Sequence, residues 1–585
     1  MARWIRPSVE PAAAERLERE LGVTPLVARL LAARGISEPE EADRFLRPHL
    51  SQLHDPYRMR GMRAAVDRLS AACARAEKIL IYGDYDADGT TAVVLLRKAI
   101  EMAGGQADFH LPHRVKDGYG MREEVIERAA RDGVRVIVSV DTGITAGKVV
   151  GRANDLGIDS IITDHHLPDG AAPPALAVLN PNQPGCGYPD KNLSGAGVAF
   201  KLAQALLGSL GWEPGRLDKV LRSILRIAVI GTVADVVPLM GENRIIVKFG
   251  LEGLRRPVNP GLRALLASAG FSPGQAPKAG GVSFRLAPRL NAAGRMDTAA
   301  DVIELFTVTA FDRAVELAAR LDRLNTERQQ AEAAILAETL ETLPEAPEAA
   351  FLVPAGQGWH RGVIGIVAAR LVERFHRPAA VVSIDPVEGV AHGSGRSIRA
   401  FHLHEALESM KDLFLGFGGH RQAAGFSLRA DRVDELRRRL EAFAAARLTA
   451  EDFIPEVRID ADLPLAGISD ETMAALAQLE PHGFGNPEPV FAAGPLRVSS
   501  EPRVLKEKHL GLALWQGGRI LRAVGWRMAE RAAALRPGAL VAAAFTIQPD
   551  DYAGGWQLEL RDVMPWQSPE GGDCASNRSG DGRRS

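Results

Sequence analysis

Residues 78–166 alternate between two textures. "KILIY" (78–82), "RVIVSV" (135–140) and "DSIITD" (159–164) are short apolar runs bounded by Gly or Asp, and helix-period segments such as "TAVVLLRKAIEMAG" lie between them. That alternation predicts a parallel sheet with crossover helices. Strands buried on both faces are expected to be apolar without interruption, as these are. Residues 1–75 read as short amphipathic helices, among them "PLVARLLAARGI" and "MRAAVDRLSAACARAEK". "TAFDRAVELAARLDRLNTERQQAEAAILAETLETL" (309–343) is a long helical run ending near Pro344 and Pro347, read as a structural spacer between two lobes. New strand signals follow, "AAFLVPA" and "AAVVSI", with the Gly-rich stretches "GVAHGSGRSIRA" and "GFGGHRQAAGFS" and the charged helix "DRVDELRRRLEAFAAARL". They predict a second, smaller α/β domain over 346–450. From 454 to 565, short runs such as "GLALWQGG" and "RILRAVGW" separated by turns predict a small β-barrel. Residues 566–585 are polar and Gly/Ser-rich, hence expected to be disordered.

Composition changes this picture little. The chain has 585 residues, 46% hydrophobic and 25% charged, enough for several globular cores. Its net charge is −2, so a polyanion site must come from local clustering of Arg and Lys. Cys73, Cys186 and Cys574 are isolated, without metal spacing, which points to a reducing compartment. The first residues lack the apolar core of a signal peptide, and no window reaches the length of a membrane span. The expectation is a cytoplasmic protein.

Candidate chemistry gathers where the apolar runs end. "IYGDYDADGTTA" places Asp84, Asp86 and Asp88 on alternate positions, as a calcium-binding EF-hand loop does. Such a loop needs a Glu at its twelfth position, here Leu95, and a helix where "KILIY" stands. The EF-hand reading fails on both counts. "VIVSV" runs into Asp141, and "SIIT" into Asp164, His165 and His166. In open parallel sheets the carboxyl ends of the strands line one crevice, so these residues are expected to converge. Asp235 sits in "IAVIGTVADVVPL", an apolar surround in which a lone carboxylate is costly to bury. One Asp after a strand is usually a cap or turn residue, but acids in four segments together indicate a metal site. Carboxylates with imidazole and no thiolate suit Mn²⁺ or Mg²⁺. The acids outnumber the needs of one ion, and two ions about 3.5–4 Å apart are usual for phosphoester hydrolysis.

"GDYDADG", "VDTGIT", "DHH" and "GTVADVVPL", in this order, resemble the four motifs of the DHH phosphoesterase superfamily. "SGAGVAFKLAQAL", "RLNAAGRMDTA", "WHRGVIGIVAARL", "GSGRSI", "FGGHRQAAGFS" and "PHGFGNPEPVF" make the chain similar, from about residue 20 to 565, to the RecJ single-strand-specific DNA exonucleases. The resemblance implies a parallel-sheet DHH domain (76–308), a connecting helix (309–345), a smaller α/β DHHA1-type domain (346–450) and an OB-like β-barrel (454–565). It implies that Asp86, Asp88, Asp141, His165 and Asp235 hold two metal ions, with Asp141 bridging and Asp84 supporting the first ion or its water. His166 would face the scissile phosphate. Gly418, Gly419 and His420 would form a phosphate pocket. Ser394 and Arg396, with Arg289 or Arg295, would grip a terminal 5′ phosphate, a task suited to the bidentate guanidinium. Two departures, Arg361 in "WHRGVIG" and Tyr82 before "GDYDADG", remove no proposed ligand. In the barrel, Arg503, Lys506 and Lys508 would track the backbone of a single strand, a run that reads equally as a solvated charged turn. No aromatic ladder is legible.

The implied activity is 5′→3′ exonucleolytic hydrolysis of single-stranded DNA to mononucleotides, in recombination and repair. The implied partners are a single strand with a 5′ end and single-strand-binding protein, and the chain is expected to be a monomer. Two alternatives stand beside it: a DHH phosphoesterase acting on short oligonucleotides or cyclic dinucleotides, and a non-catalytic replication scaffold.

Overall fold

"KILIY" forms the strand Lys78–Tyr82, whose successive residues serve two cores. Ile79 and Ile81 enter a core shared with helices Ala87–Met102, Gly195–Gly208 and Pro214–Ala234, while Leu80 and Tyr82 face helices Glu123–Arg131 and Gly147–Asp155. Burial on both faces is why the run carries no polar residue after Lys78 until its end. The computed structural model of the chain describes residues 2–114 and 116–566, so Cys574 and all but the first residue of the expected 566–585 tail lie outside the described residues. Trp566 is placed, its N–H donating to Leu540 O.

The sheet is parallel throughout, in the order Ala107–His110, Lys78–Tyr82, Val134–Val140, Asp159–Thr163, Ala177–Leu179. The chain winds outward to one edge from Lys78–Tyr82 and to the other from Val134–Val140. Between those two strands the order reverses, which opens a crevice at their carboxyl ends. Asp84 and Asp141 follow these strands closely.

The helix Phe311–Thr342 is more than a spacer. It packs on helix Ala287–Met296 at one end and on helix Ile364–Phe375 at the other. Its Glu332 pairs with Arg328 on the same helix and with Arg370 on the second neighbour, at 2.8 and 3.0 Å. Beyond it stands a second sheet in the order Phe414–Gly419, Ala423–Arg429, Val390–Arg396, Ala379–Asp385, Ala355–Gln357, antiparallel except for the last pair.

A separate compact unit comprises Met1–Ala42, Ile454–Gln478 and the described residues from Glu488 onward. In it, strands Phe491–Val498, Leu540–Pro549, Trp556–Pro565, Arg519–Gly525 and His509–Gln516 pair in turn, and the first also pairs with the last, closing a barrel. The expectation of one helical segment over 1–75 needs correction. Arg3–Ile5 is a strand that pairs in parallel with Glu456–Arg458, and Met1–Ala42 belongs with the barrel rather than with the residues that follow. Three residues whose partner lies hundreds of positions away leave no local periodicity to read. No helix among the described residues is long and apolar enough to cross a membrane.

Candidate metal and phosphate centre

Asp86 is the N-cap of helix Ala87–Met102, accepting from Asp88 N–H and Gly89 N–H at 2.9 and 3.0 Å. Asp88, in the first turn, accepts from Gly195 N–H and Ala196 N–H at 2.6 and 3.0 Å, the opening amides of helix Gly195–Gly208. A helix N-terminus favours a carboxylate there. Gly195 also passes so close to Asp141 that a Cβ on it would lie 2.5 Å from Asp141 Oδ1. Asp141 has φ 61°, a sparsely populated conformation for a non-glycine residue, and its N–H donates to Thr163 O. Asp235 caps the carboxyl end of helix Pro214–Ala234.

These elements bring the ligand atoms together. His165 Nε2 lies 3.1 Å from Asp141 Oδ1 and 3.5 Å from Asp235 Oδ2. Asp84 Oδ1, Asp141 Oδ1, His165 Nε2 and Asp235 Oδ2 are all buried without a hydrogen-bond partner. Two neighbouring sets, Asp84 with Asp86 and Asp141, and Asp88 with His165 and Asp235, each converge within 4.8 Å. Asp84 belongs to the first of these sets. Burial, reinforced by neighbouring carboxylates, pushes Asp88 up to about 7 and Asp235 up to about 9, and holds Asp84 and Asp141 well above the usual carboxylate range. Burial, with His166 beside it, lowers His165 to about 4, which keeps its ring neutral and able to donate a lone pair. Orphaned oxygens and an imidazole nitrogen, crowded and buried, fit a hard divalent cation.

Asp164 was legible at its strand end but without a role. It is fully buried and accepts from Ile144 N–H at 2.9 Å, His165 N–H at 2.7 Å, His166 N–H at 3.1 Å and the His166 ring at 2.7 Å. It therefore orients both histidines. Burial alone would lower the His166 pKa, but the Asp164 carboxylate outweighs it and raises it. With Nδ1 committed to Asp164, Nε2 is the ring nitrogen left for other partners, and His166 also groups with Asp141 and His165 within 4.8 Å.

A cluster of guanidiniums adjoins the acids. Arg114 lies over the ring of Tyr85, the residue between Asp84 and Asp86, at 4.8 Å. Arg295 Nη1 donates to Gly362 O at 2.8 Å, which joins helix Ala287–Met296 to the start of the smaller domain. Burial first, then Arg114 and Arg396, lowers Arg295 to about 9, and burial with Arg114 lowers Arg396. Arg396 reaches Ser394 Oγ at 3.4 Å, and both pack over Gly365 in the first turn of helix Ile364–Phe375. Half-buried, mutually repelling cations, one of them beside a helix N-terminus, are groups that an anion would stabilise. Of the two arginines in "RLNAAGR", Arg295 is in this cluster. Arg289 is not: it pairs with Asp322 at 2.7 Å and donates to Arg285 O. Asn291 of the same motif caps the Ala87 N–H at 2.7 Å. Gly418, Gly419 and His420 lie exposed at a hairpin end, where the register Ala423↔Arg396 sets them near Arg396. Arg114 was not anticipated, since nothing in "LPHRVKDGYG" marks its Arg as special.

In the barrel unit, Arg503, Lys506 and Lys508 are exposed on and around the turn between Arg503–Leu505 and His509–Gln516. Trp526 is half-exposed and meets His509 edge-on at 4.8 Å, beside a hollow of about 260 Å³ that Lys506 and Gln548 also line.

The DHH family, N-terminal domain, matches residues 78–232, the DHHA1 domain matches 348–446 and the RecJ OB domain matches 459–562. The single-stranded-DNA-specific exonuclease RecJ of Bacillus subtilis is 40% identical over 571 residues, spanning 97% of this chain and 71% of that one. The chain belongs to the RecJ exonuclease family. RecJ of Escherichia coli is 37% identical over 504 residues, 83% of this chain and 86% of that one. The crystal structure of RecJ from Thermus thermophilus in complex with Mn²⁺ is similar at a TM-score of 0.82 and 32% identity, covering 97% of this chain and 80% of that chain. The corresponding complex with Mg²⁺ is similar at a TM-score of 0.77 and 31% identity, covering 97% of this chain and 79% of that chain. RecJ family structures thus hold the cations that the donor set here fits.

Proposed function

We propose that this chain is a divalent-cation-dependent exonuclease that degrades single-stranded DNA from the 5′ end, releasing mononucleotides. The observation that carries the reading is the adjacency of two opposite clusters, orphaned carboxylate and imidazole atoms on one side and Arg114, Arg295 and Arg396 on the other. Asp84, Asp86, Asp88, Asp141, His165 and Asp235 would hold two ions, with Asp141 shared. Bound there, Mn²⁺ or Mg²⁺ supplies an acidified water and charge stabilisation at the phosphorus. The protein supplies position. Asp164 fixes the His166 ring, whose Nε2–H donates to a phosphate oxygen. Ser394, Arg396, Arg295 and Arg114 hold the terminal phosphate, and three guanidiniums favour a phosphomonoester dianion over the singly charged diester. The 5′ sense of that grip follows the family resemblance. The adjacent Gly418, Gly419 and His420 add amides and an imidazole. Arg503, Lys506, Lys508 and Trp526 would hold the trailing strand. Roles in recombination and repair, action in the cytoplasm as a monomer and contact with single-strand-binding protein belong to the same reading.

The test is a single strand labelled at either end, with and without a 5′ phosphate, in Mn²⁺. The 5′ label is expected to appear at once as mononucleotide while the 3′ label stays in long products. Early release of the 3′ label, or internal cuts, would reject the polarity.

A further inference from the structure

A short way along the chain from Asp235 the structure holds the ring of Phe484 out in solvent. After Asp235 the chain turns through Val236, which is 58% exposed and has φ 59°. A β-branched residue in the left-handed region is strained, a feature that concentrates at functional sites. Three residues on, Leu239 N–H donates to Phe484 O at 2.7 Å. Phe484 is the tip of "PHGFGNP" (481–487), a motif that the metal and phosphate sites leave unused.

That tip is rigid. Gly483 and Asn486 exchange backbone hydrogen bonds at 2.9 and 3.1 Å, and the buried Asn486 amide donates to Leu479 O and Pro481 O at 2.8 and 2.9 Å. Arg244 donates to Glu480 O at 2.7 Å, and Lys278 Nζ to the Glu480 carboxylate at 2.9 Å. Gly483 and Gly485 lie flat on the segment after Asp235. A Cβ on Gly483 would come within 2.5 Å of Leu239 Cδ1, and one on Gly485 within 2.9 Å of Pro238 Cβ. Yet Phe484 between them is 60% exposed. Burying such a ring ordinarily stabilises a fold. A loop anchored this firmly, with its one large apolar side chain left out of the core, is built to present that side chain.

What meets it is set by its neighbourhood. Leu239 follows Asp235 by only four residues, a span of at most about 14 Å when fully extended. A strand whose phosphate occupies the metal centre therefore passes within a few nucleotides of the ring. Unpaired bases stack on aromatic side chains without regard to sequence. We propose that Phe484 is a stacking platform for an unpaired nucleobase of the bound strand, with Val236 extending its apolar floor. The inference rests on the exonuclease reading of the centre. It adds a reason for single-strand selectivity, because a base in a duplex has its faces covered by stacked neighbours.

Phe484→Ala and Phe484→Trp are compared with the unsubstituted chain on a 5′-phosphorylated oligodeoxynucleotide, by fluorescence anisotropy without added metal and by steady-state hydrolysis in Mn²⁺. Phe484→Ala is expected to raise Kd and KM about tenfold with kcat nearly unchanged. Phe484→Trp is expected to behave as the unsubstituted chain. On an oligonucleotide abasic near its 5′ end, the unsubstituted chain is expected to bind as weakly as Phe484→Ala. An unchanged Kd for Phe484→Ala, or a defect that persists in full on the abasic strand, overturns the platform. Absence of hydrolysis by the unsubstituted chain would instead overturn the exonuclease reading, while the anisotropy comparison still decides the platform.

Discussion

Asp88 and Asp235 illustrate how single carboxylates set the behaviour of the metal centre. An unfolded Asp titrates near 3.8, whereas burial moves these two up to about 7 and about 9. Between those limits the folded chain binds more protons than the unfolded chain, so stability without metal falls as pH rises. A divalent cation replaces the protons and reverses the loss. In EDTA the melting temperature is expected to decrease from about pH 5 to about pH 9, and Mn²⁺ is expected to raise it most at the alkaline end. Scanning fluorimetry across that range measures both, and a melting temperature that rises with pH in EDTA would contradict the account. At this scale the acids and His165 were legible because each is an ionisable residue where an apolar run leaves no other reason for one. Arg114 was not, since a lone Arg in a polar loop reads as a surface charge.

Helix Gly195–Gly208 shows an element placing chemistry that none of its own side chains performs. Its first amides hold Asp88, and its first residue leaves no room for a side chain beside Asp141. Gly195→Ala is expected to displace the Asp141 carboxylate, reducing hydrolysis at least a hundredfold and destabilising the fold by about 1–3 kcal/mol in urea titration. Near-normal turnover would show that the helix does not set the ligand geometry. The parallel strands were readable as apolar runs, but the strand Val390–Arg396 was not, because "VAHGSGR" is poor in β-formers. Its stability comes from across the sheet, where Phe426 pairs with Gly393 and its ring packs over that glycine.

The whole molecule assembles the guanidinium cluster from three places: Arg114 in a loop after Ala107–His110, Arg295 on a helix of the larger domain, and Arg396 on a strand of the smaller one. Arg396→Ala is expected to lower the preference in kcat/KM for 5′-phosphorylated over 5′-hydroxyl strands by tenfold or more, with the rate on the hydroxyl strand little changed. This corresponds to about 1.4 kcal/mol or more at the terminal phosphate, within the range of a charge-assisted contact. Equal losses on both substrates would place Arg396 in general strand binding. The domain content was legible along the chain, but the grouping of Met1–Ala42 with the barrel unit was not, because it depends on a strand pairing between distant residues.

By itself the sequence determined which residues could ligate a metal and that they would meet, because parallel strands with crossover helices bring their carboxyl ends to one crevice whatever the details of packing. Only the tertiary structure decided that Arg295 rather than Arg289 joins the guanidinium cluster, that Arg114 completes it, and that Phe484 stands exposed close to Asp235. Long side chains and loop tips have no period that fixes their direction. Where they end is set by the packing of elements far apart in the chain.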